Sequence, residues 1–259
     1  MFRIAIVQHL IRRDDLEWTL QHVASLLDQQ QGADLYVLAE SFATGFMSEG
    51  ATKRAGEESP QILEWMQWQA RRLDAAVTGS VATVGDGGQL RNRLFFVRPD
   101  GSYDYYDKRH LFGYAGETKA FVPGNRRVVV TWRGVRFLLQ VCYDLRFPVF
   151  SRYQGDYDAI LYVANWPSSR REAWQTLLKA RAIENQCYVA GVNIVGSDGK
   201  FDYLGDSAII NAYGQVKASC TTGMAEVAVA DINMDEQNHF RQKFHVLDDA
   251  DNFTVNIDL

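Results

Sequence analysis

Arg136-Phe-Leu-Leu-Gln-Val-Cys142-Tyr-Asp-Leu-Arg146-Phe-Pro148 is an apolar, strand-like run that ends on a cysteine, with a turn or helix start immediately behind it. Two other strand-like runs end on a charged residue. Leu35-Tyr-Val-Leu-Ala39 runs into Glu40, and Tyr103-Asp-Tyr-Tyr-Asp107 runs into Lys108. β-Branched and aromatic enrichment predicts further strands over 2–8, 76–83, 90–98, 128–132, 135–141, 159–163, 188–195, 207–211 and 226–231. Turn chemistry separates them at Gly85-Asp-Gly-Gly88, Pro99-Asp-Gly101, Arg133-Gly134, Ser197-Asp-Gly199 and Tyr213-Gly214.

Helices fall between these runs. Over 15–30, Leu16, Leu20, Val23, Ala24 and Leu27 share one helical face. Ser59-Pro60 reads as an N-cap and first-turn proline for a helix through Arg72. Ser169-Arg-Arg-Glu172 reads as a capping box opening a helix that turns Trp174, Leu177, Leu178 and Ile183 inward. Early strands alternate with helices, whereas the middle and end are strand-rich with hairpin turns. Two packed sheets covered by helices suit that order better than one doubly wound sheet. With no linker or low-complexity tract, a single domain over 1–259 is expected, its acidic end (about 245–259) forming a peripheral tail.

The chain has 259 residues, 47% hydrophobic and 23% charged, with six Trp and twelve Tyr, a composition of packed layers rather than disorder. Its net charge of −5 gives no general attraction for nucleic acid or anionic membrane, and its Arg-Arg pairs are scattered. The three cysteines, Cys142, Cys187 and Cys220, form no Cys-x-x-Cys pair, and the five histidines show no ligand spacing, so no metal site or disulfide framework is expected. Cys187 and Cys220 read as packed thiols. The N-terminus opens directly on a strand pattern without a secretory leader, and no run is long enough to span a bilayer. A reducing cytoplasm fits.

Cys142 has two readings from its own segment, an activated nucleophile at a helix start or a packed core thiol. Glu40 and Lys108 likewise either pair with each other or serve chemistry, because a charge directly after a buried strand is costly unless paired or used. Three complementary groups at carboxyl ends of strands can converge on one sheet edge.

Leu38-Ala-Glu40-Ser-Phe-Ala-Thr-Gly45-Phe, Tyr106-Asp-Lys108-Arg-His110-Leu-Phe112 and Val141-Cys142-Tyr-Asp-Leu-Arg146-Phe-Pro148 resemble, in order and spacing, the three catalytic blocks of the nitrilase (carbon–nitrogen hydrolase) superfamily. Glu117-Thr-Lys-Ala-Phe-Val-Pro-Gly124-Asn125 resembles its second-glutamate segment. Ala180–Ala190 and Gly205–Gly214 resemble downstream landmarks, so the likeness spans nearly the whole chain. Ala39 departs from the proline usual there, and Ser41 from a larger apolar residue. The resemblance implies a four-layer αββα sandwich. It also implies a Glu40–Lys108–Cys142 triad supported by Glu117, with no cofactor. In that scheme Glu40 is general base for the Cys142 thiol. Lys108 and the backbone N–H of Tyr143 hold the oxyanion, and Lys108 favours the thiolate beforehand.

Together with Val163-Ala-Asn165-Trp-Pro167, these blocks look most like the ω-amidase branch. That likeness implies hydrolysis of the terminal amide of a small α-keto acid amide, of α-ketoglutaramate or α-ketosuccinamate type, a link to methionine salvage, and a homodimer or larger homo-oligomer. A free carboxylate on such a substrate needs a cation, and Arg170 is a candidate alongside its reading as a structural ion pair. Phe46, Asn165 and Trp166 are candidate pocket residues, with a core role for Trp166 equally open. Arg146 reads as structural, tied to Asp144 or a nearby carbonyl. Competing readings are another small amide, nitrile or N-carbamoyl substrate on the same triad, a Cys142–His110 hydrolase, and a non-catalytic scaffold of the same fold.

Overall fold

The computed structural model describes residues 1–46 and 49–256, with the side chains at 49–51 and 86 outside the description. In chain order its elements are β1 (Phe2–Gln8), α1 (Leu16–Gln29), β2 (Leu35–Val37), α2 (Glu49–Leu73), β3 (Ala76–Val84), β4 (Leu90–Val97) and β5 (Tyr103–Asp107). There follow α3 (Glu117–Ala120), β6 (Val129–Trp132), β7 (Val135–Val141), α4 (Pro148–Ser151), β8 (Ala159–Val163) and α5 (Arg171–Glu184). The chain continues through β9 (Tyr188–Val192), β10 (Val195–Ser197), β11 (Asp202–Leu204), β12 (Ala208–Ile210), β13 (Val216–Ser219), β14 (Glu226–Ile232) and α6 (Met234–Lys243).

Two mixed six-stranded sheets are formed, in the orders β14-β1-β2-β3-β4-β5 and β13-β12-β9-β8-β7-β6, and β10 and β11 make a separate hairpin. The central strands of each sheet, β1-β2-β3 and β7-β8-β9, are parallel. Both of their faces are covered, which is why they read as continuous apolar runs rather than alternating ones. The sheets pack face to face: Phe137 on β7 lies 5.3 Å from Phe2 and 6.1 Å from Phe96, ring centre to ring centre. A second apolar layer joins the β7-β8-β9 sheet to α5 through Trp174, Leu178 and Ala182 against Ile160, Tyr162 and Val189. On the outer side of the first sheet, α2 buries Ile62, Met66 and Ala70. The architecture is therefore α/β, two mixed sheets flanked by helices, as the sequence led us to expect.

Local details differ. Pro60 does not start α2 but lies inside it. An interior proline removes the N–H that would bond the Gly56 carbonyl, and here the Ser59 hydroxyl donates to that carbonyl at 2.9 Å instead. Ser169 forms no capping box. It sits within a 3₁₀ turn, Ser168–Arg170, and Arg170 takes the N-cap position of α5 without a side-chain cap. Ile183 is exposed rather than inward, because the buried face follows Trp174, Leu178 and Ala182 at four-residue steps, one turn position away. The strand expected over 188–195 breaks after Val192 and resumes as β10. Residues 245–256 lie largely on the surface, with Val255 packed on the main core; the last three residues of the expected tail lie outside the described residues.

Candidate active site

Both sheets deliver their chemistry at strand ends. Glu40 follows β2, Lys108 follows β5, Cys142 follows β7 and Asn165 follows β8. β5 runs parallel to β3 because two successive antiparallel pairings reverse direction twice, so its carboxyl end lies on the same edge as that of β2. The first three side chains needed no rearrangement of the sequence expectation, and the fold brings them together with Glu117 from α3.

Lys108 Nζ donates to Glu40 Oε1 at 2.8 Å and to Glu117 Oε1 and Oε2 at 3.0 and 2.9 Å. All three residues are buried. Glu117 also accepts the Phe112 amide at 2.5 Å. The other Glu40 oxygen, Oε2, accepts the backbone N–H of Asn165 at 2.8 Å, and the Asn165 side-chain amide donates to the Glu40 carbonyl at 2.6 Å. Cys142 Sγ stands 4.0 Å from the Asn165 carbonyl. A buried ion cluster of this kind is costly in desolvation, so it survives only with nearly every lone pair occupied, as here.

The elbow at Cys142 is a left-handed residue, φ +46°, between the end of β7 and a 3₁₀ turn, Cys142–Arg146. Such a conformation in a non-glycine residue costs about 1–3 kcal/mol and is maintained by its surroundings. Here they are supplied by Asp144, which accepts from the Val141 amide at 2.9 Å and the Tyr106 hydroxyl at 2.8 Å, and binds His110 through both its amide (3.0 Å) and Nδ1 (2.7 Å). His110 stacks on Phe147 at 3.8 Å. Its ring is thus occupied with structure, which removes the Cys142–His110 reading. Asp144 is not tied to Arg146: the Arg146 guanidinium instead lies 5.0 Å over the Trp166 ring. Tyr143 is the second residue of the turn, where a backbone N–H precedes the first intrahelical bond and stays available.

Charge in the cluster is strongly biased. Burial works against the Lys108 ammonium, but Glu117 and Glu40 outweigh it and hold the amine well above its ordinary range. Burial raises Glu117, with Lys108 opposing and Glu40 reinforcing the rise. Burial first, then the Glu40 charge, pushes the Cys142 thiol well above its usual value, and Lys108 offsets only part of this. A thiolate made in advance by Lys108 is therefore corrected to a resting thiol, because one ammonium already shared by two carboxylates cannot also pre-ionise the sulfur.

A cavity opens onto the cluster, lined by Glu40, Lys108, Cys142, Phe46, Asn165, Trp166 and Arg170, with Arg146, Phe112 and Phe201 completing its wall. Every candidate pocket residue of the sequence reading thus borders one space. Trp166 is also nearly buried, its indole N–H donating to the Arg170 carbonyl at 2.8 Å, so wall and core roles coincide. Arg170 lies 5.2 Å over Phe112, and its Nη2 is buried without a hydrogen-bond partner among the described residues. Arg146 makes no ion pair among the described residues. One member of the cluster escaped the sequence reading: Asn92 on β4, whose amide meets both carboxylates. A polar residue in phase with the buried Leu94 and Phe96 was the available signal.

A thiol, two carboxylates and an ammonium bordering one pocket suit a class of enzyme that hydrolyses carbon–nitrogen bonds. The family model described as carbon-nitrogen hydrolase matches residues 3–242, and the chain belongs to that family. It is 44% identical to omega-amidase YafV of Yersinia enterocolitica, covering 98% of both chains, and 31% identical to 2-oxoglutaramate amidase of Bacillus subtilis, covering 85% of this chain and 86% of the relative. Among solved structures it is similar to XC1258 of Xanthomonas campestris, a CN-hydrolase superfamily protein with an arsenic adduct in its active site. The TM-score is 0.93 at 41% identity, over 98% of this chain and 99% of that one. No described helix is long and apolar enough to cross a membrane.

Proposed function

We propose that this chain is an ω-amidase, releasing ammonia from the terminal amide of a small α-keto acid amide of α-ketoglutaramate or α-ketosuccinamate type through a Cys142 thioester. The observation that carries the reading is the pairing of two features in one cavity. At its floor lies the Cys142 thiol beside the Glu40–Lys108–Glu117 cluster, and in its wall stand two guanidiniums, Arg146 and Arg170, without acidic partners among the described residues. A floor of that kind suits an amide carbon, and such a wall suits the carboxylate at the other end of a short substrate. The names of the omega-amidase and 2-oxoglutaramate amidase relatives support the same choice.

In the proposed reaction Glu40 takes the Sγ proton as the sulfur attacks the amide carbon. The oxyanion forms against Lys108 Nζ and the Tyr143 N–H. Collapse expels the amine, which receives its proton from Glu40 and leaves as ammonia. Glu40 next deprotonates water, the hydroxide opens the thioester, and the acid leaves as the thiol is restored. Glu117 keeps Lys108 charged and aimed. Because the thiol rests protonated, deprotonation and attack are coupled, so the base must already be charged when the substrate arrives.

The test is ammonia release from α-ketoglutaramate, glutamine, a simple nitrile and an N-carbamoyl amino acid, with acid-quench mass spectrometry of the Cys142 peptide. The keto acid amide should be preferred and an acyl group of its mass found on Cys142. Exclusive turnover of the nitrile would overturn the substrate assignment, and full activity of Cys142→Ala would overturn the chemistry.

A further inference from the structure

We propose that Asn92 is a positioning residue of the active site, a neutral double donor that holds Glu40 and Glu117 as a pair of facing charged carboxylates. The inference rests on the base role proposed for Glu40. Asn92 lies on β4 in phase with Leu94 and Phe96 and is 2% exposed. Its Nδ2 meets Glu40 Oε1 at 2.8 Å and Glu117 Oε1 at 3.2 Å, while its carbonyl accepts the Lys108 amide at 2.9 Å.

Two carboxylate oxygens facing one end of an amide require that end to be the NH₂ group, because an oxygen there would be repelled by both. Asparagine thereby supplies two N–H bonds to a pair of like charges without adding a charge of its own. Lysine at that position would overcompensate the cluster, and leucine, which its neighbours in phase would predict, would leave Lys108 to neutralise two carboxylates alone. The position also pays for this chemistry: Asn92 Oδ1 is buried with no partner among the described residues, so packing alone does not account for the residue. Asn92 and the Asn165 amide grip opposite oxygens of Glu40, at 2.8 Å each, which fixes the plane of its carboxylate.

Removing the donors takes N–H bonds from two buried carboxylates that face each other, so the cluster must shed its first proton at higher pH before the site is competent. The experiment compares wild type with Asn92→Ala and Asn92→Ser in two pH series, kcat/KM for ammonia release and the rate of iodoacetamide alkylation read on the Cys142 peptide. In Asn92→Ala the acid limb should move up by roughly one to two pH units in both series. Its kcat should fall by roughly 10²-fold with KM little changed. Asn92→Ser, which keeps one donor, should lie between the two. Alkylation needs no amide substrate, so failure of the wild type on α-ketoglutaramate would sink the substrate assignment while leaving this comparison intact. An acid limb at the wild-type pH in an Asn92→Ala protein with native circular dichroism would overturn the proposal. If that variant does not fold, an unshifted limb in Asn92→Ser does the same.

Discussion

Asp144 Oδ1 lies 3.0 Å from the His110 amide nitrogen and 2.7 Å from His110 Nδ1, so one carboxylate oxygen joins the turn after β7 to the loop after β5. Those two strands belong to different sheets. The contact therefore sets where the Cys142 elbow stands relative to Lys108, and not only how the elbow itself is shaped.

Asp144→Ala should be severely destabilising. It strands the Val141 amide and the Tyr106 hydroxyl in the interior, a loss of about 3 kcal/mol. Urea unfolding followed by tryptophan fluorescence measures this, and a midpoint within error of wild type would show that water replaces the carboxylate.

Glu40→Gln should abolish turnover yet make the sulfur more acidic. Burial and the Glu40 charge both hold the thiol up, while Lys108 pulls it down. Deleting the negative charge removes one raising influence and leaves the lowering one. Thiolate absorbance in the ultraviolet should thus emerge at lower pH in Glu40→Gln than in wild type. A thiol that titrates higher in the variant would contradict the assigned charges.

Arg170→Met and Arg146→Met should each raise KM for α-ketoglutaramate by about 10–100-fold, the value of a charge-assisted hydrogen bond. KM for propionamide, which has no carboxylate, should change little. Equal losses on both substrates would mean that the arginines shape the wall rather than read the anion.

Gly124→Ala is expected to disturb activity from outside the pocket. A Cβ on Gly124 would come 2.1 Å from the Asp107 carbonyl oxygen, which is backbone and cannot swing aside, and the Gly124 amide bonds the Lys108 carbonyl at 2.9 Å. Relief of the clash should cost about 1–3 kcal/mol and displace Lys108. Thermal unfolding and kcat measured together check this, and an unchanged kcat would show that β5 absorbs the shift elsewhere.

The strand-end residues were legible as strand ends, but each alone read equally as a packed thiol or a structural ion pair, and it was the ordered resemblance of their blocks that pointed to a joint role. β1, β5, β7 and β8 also fall at the bounds their patterns predicted. Asn92 was hidden by its neighbours, since Arg91 and Arg93 make that end of β4 read as surface although it alternates into the interior. α6 went unread because its sequence is nearly all polar, with Gln237 its buried residue; the cue was Asn233, whose side chain accepts from the Glu236 amide as an N-cap. β11 and β13 are three and four residues long, too short for alternation to register. The two wall arginines were ambiguous for a different reason. Whether a guanidinium has an acidic neighbour is a fact of tertiary structure, and no local pattern encodes it.

Phe137, wedged between the two sheets against Phe2 and Phe96, has a consequence for measurement as well as for packing. Glu40 and Lys108 follow strands of one sheet, and Cys142 and Asn165 follow strands of the other. In the proposed reaction the gap between base and nucleophile is thus an interlayer spacing, with the aromatic core acting as the spacer. Trimming or enlarging Phe137 would retune a proton transfer without touching any reacting group, and the turnover number would serve as a gauge of how far apart two β-sheets stand.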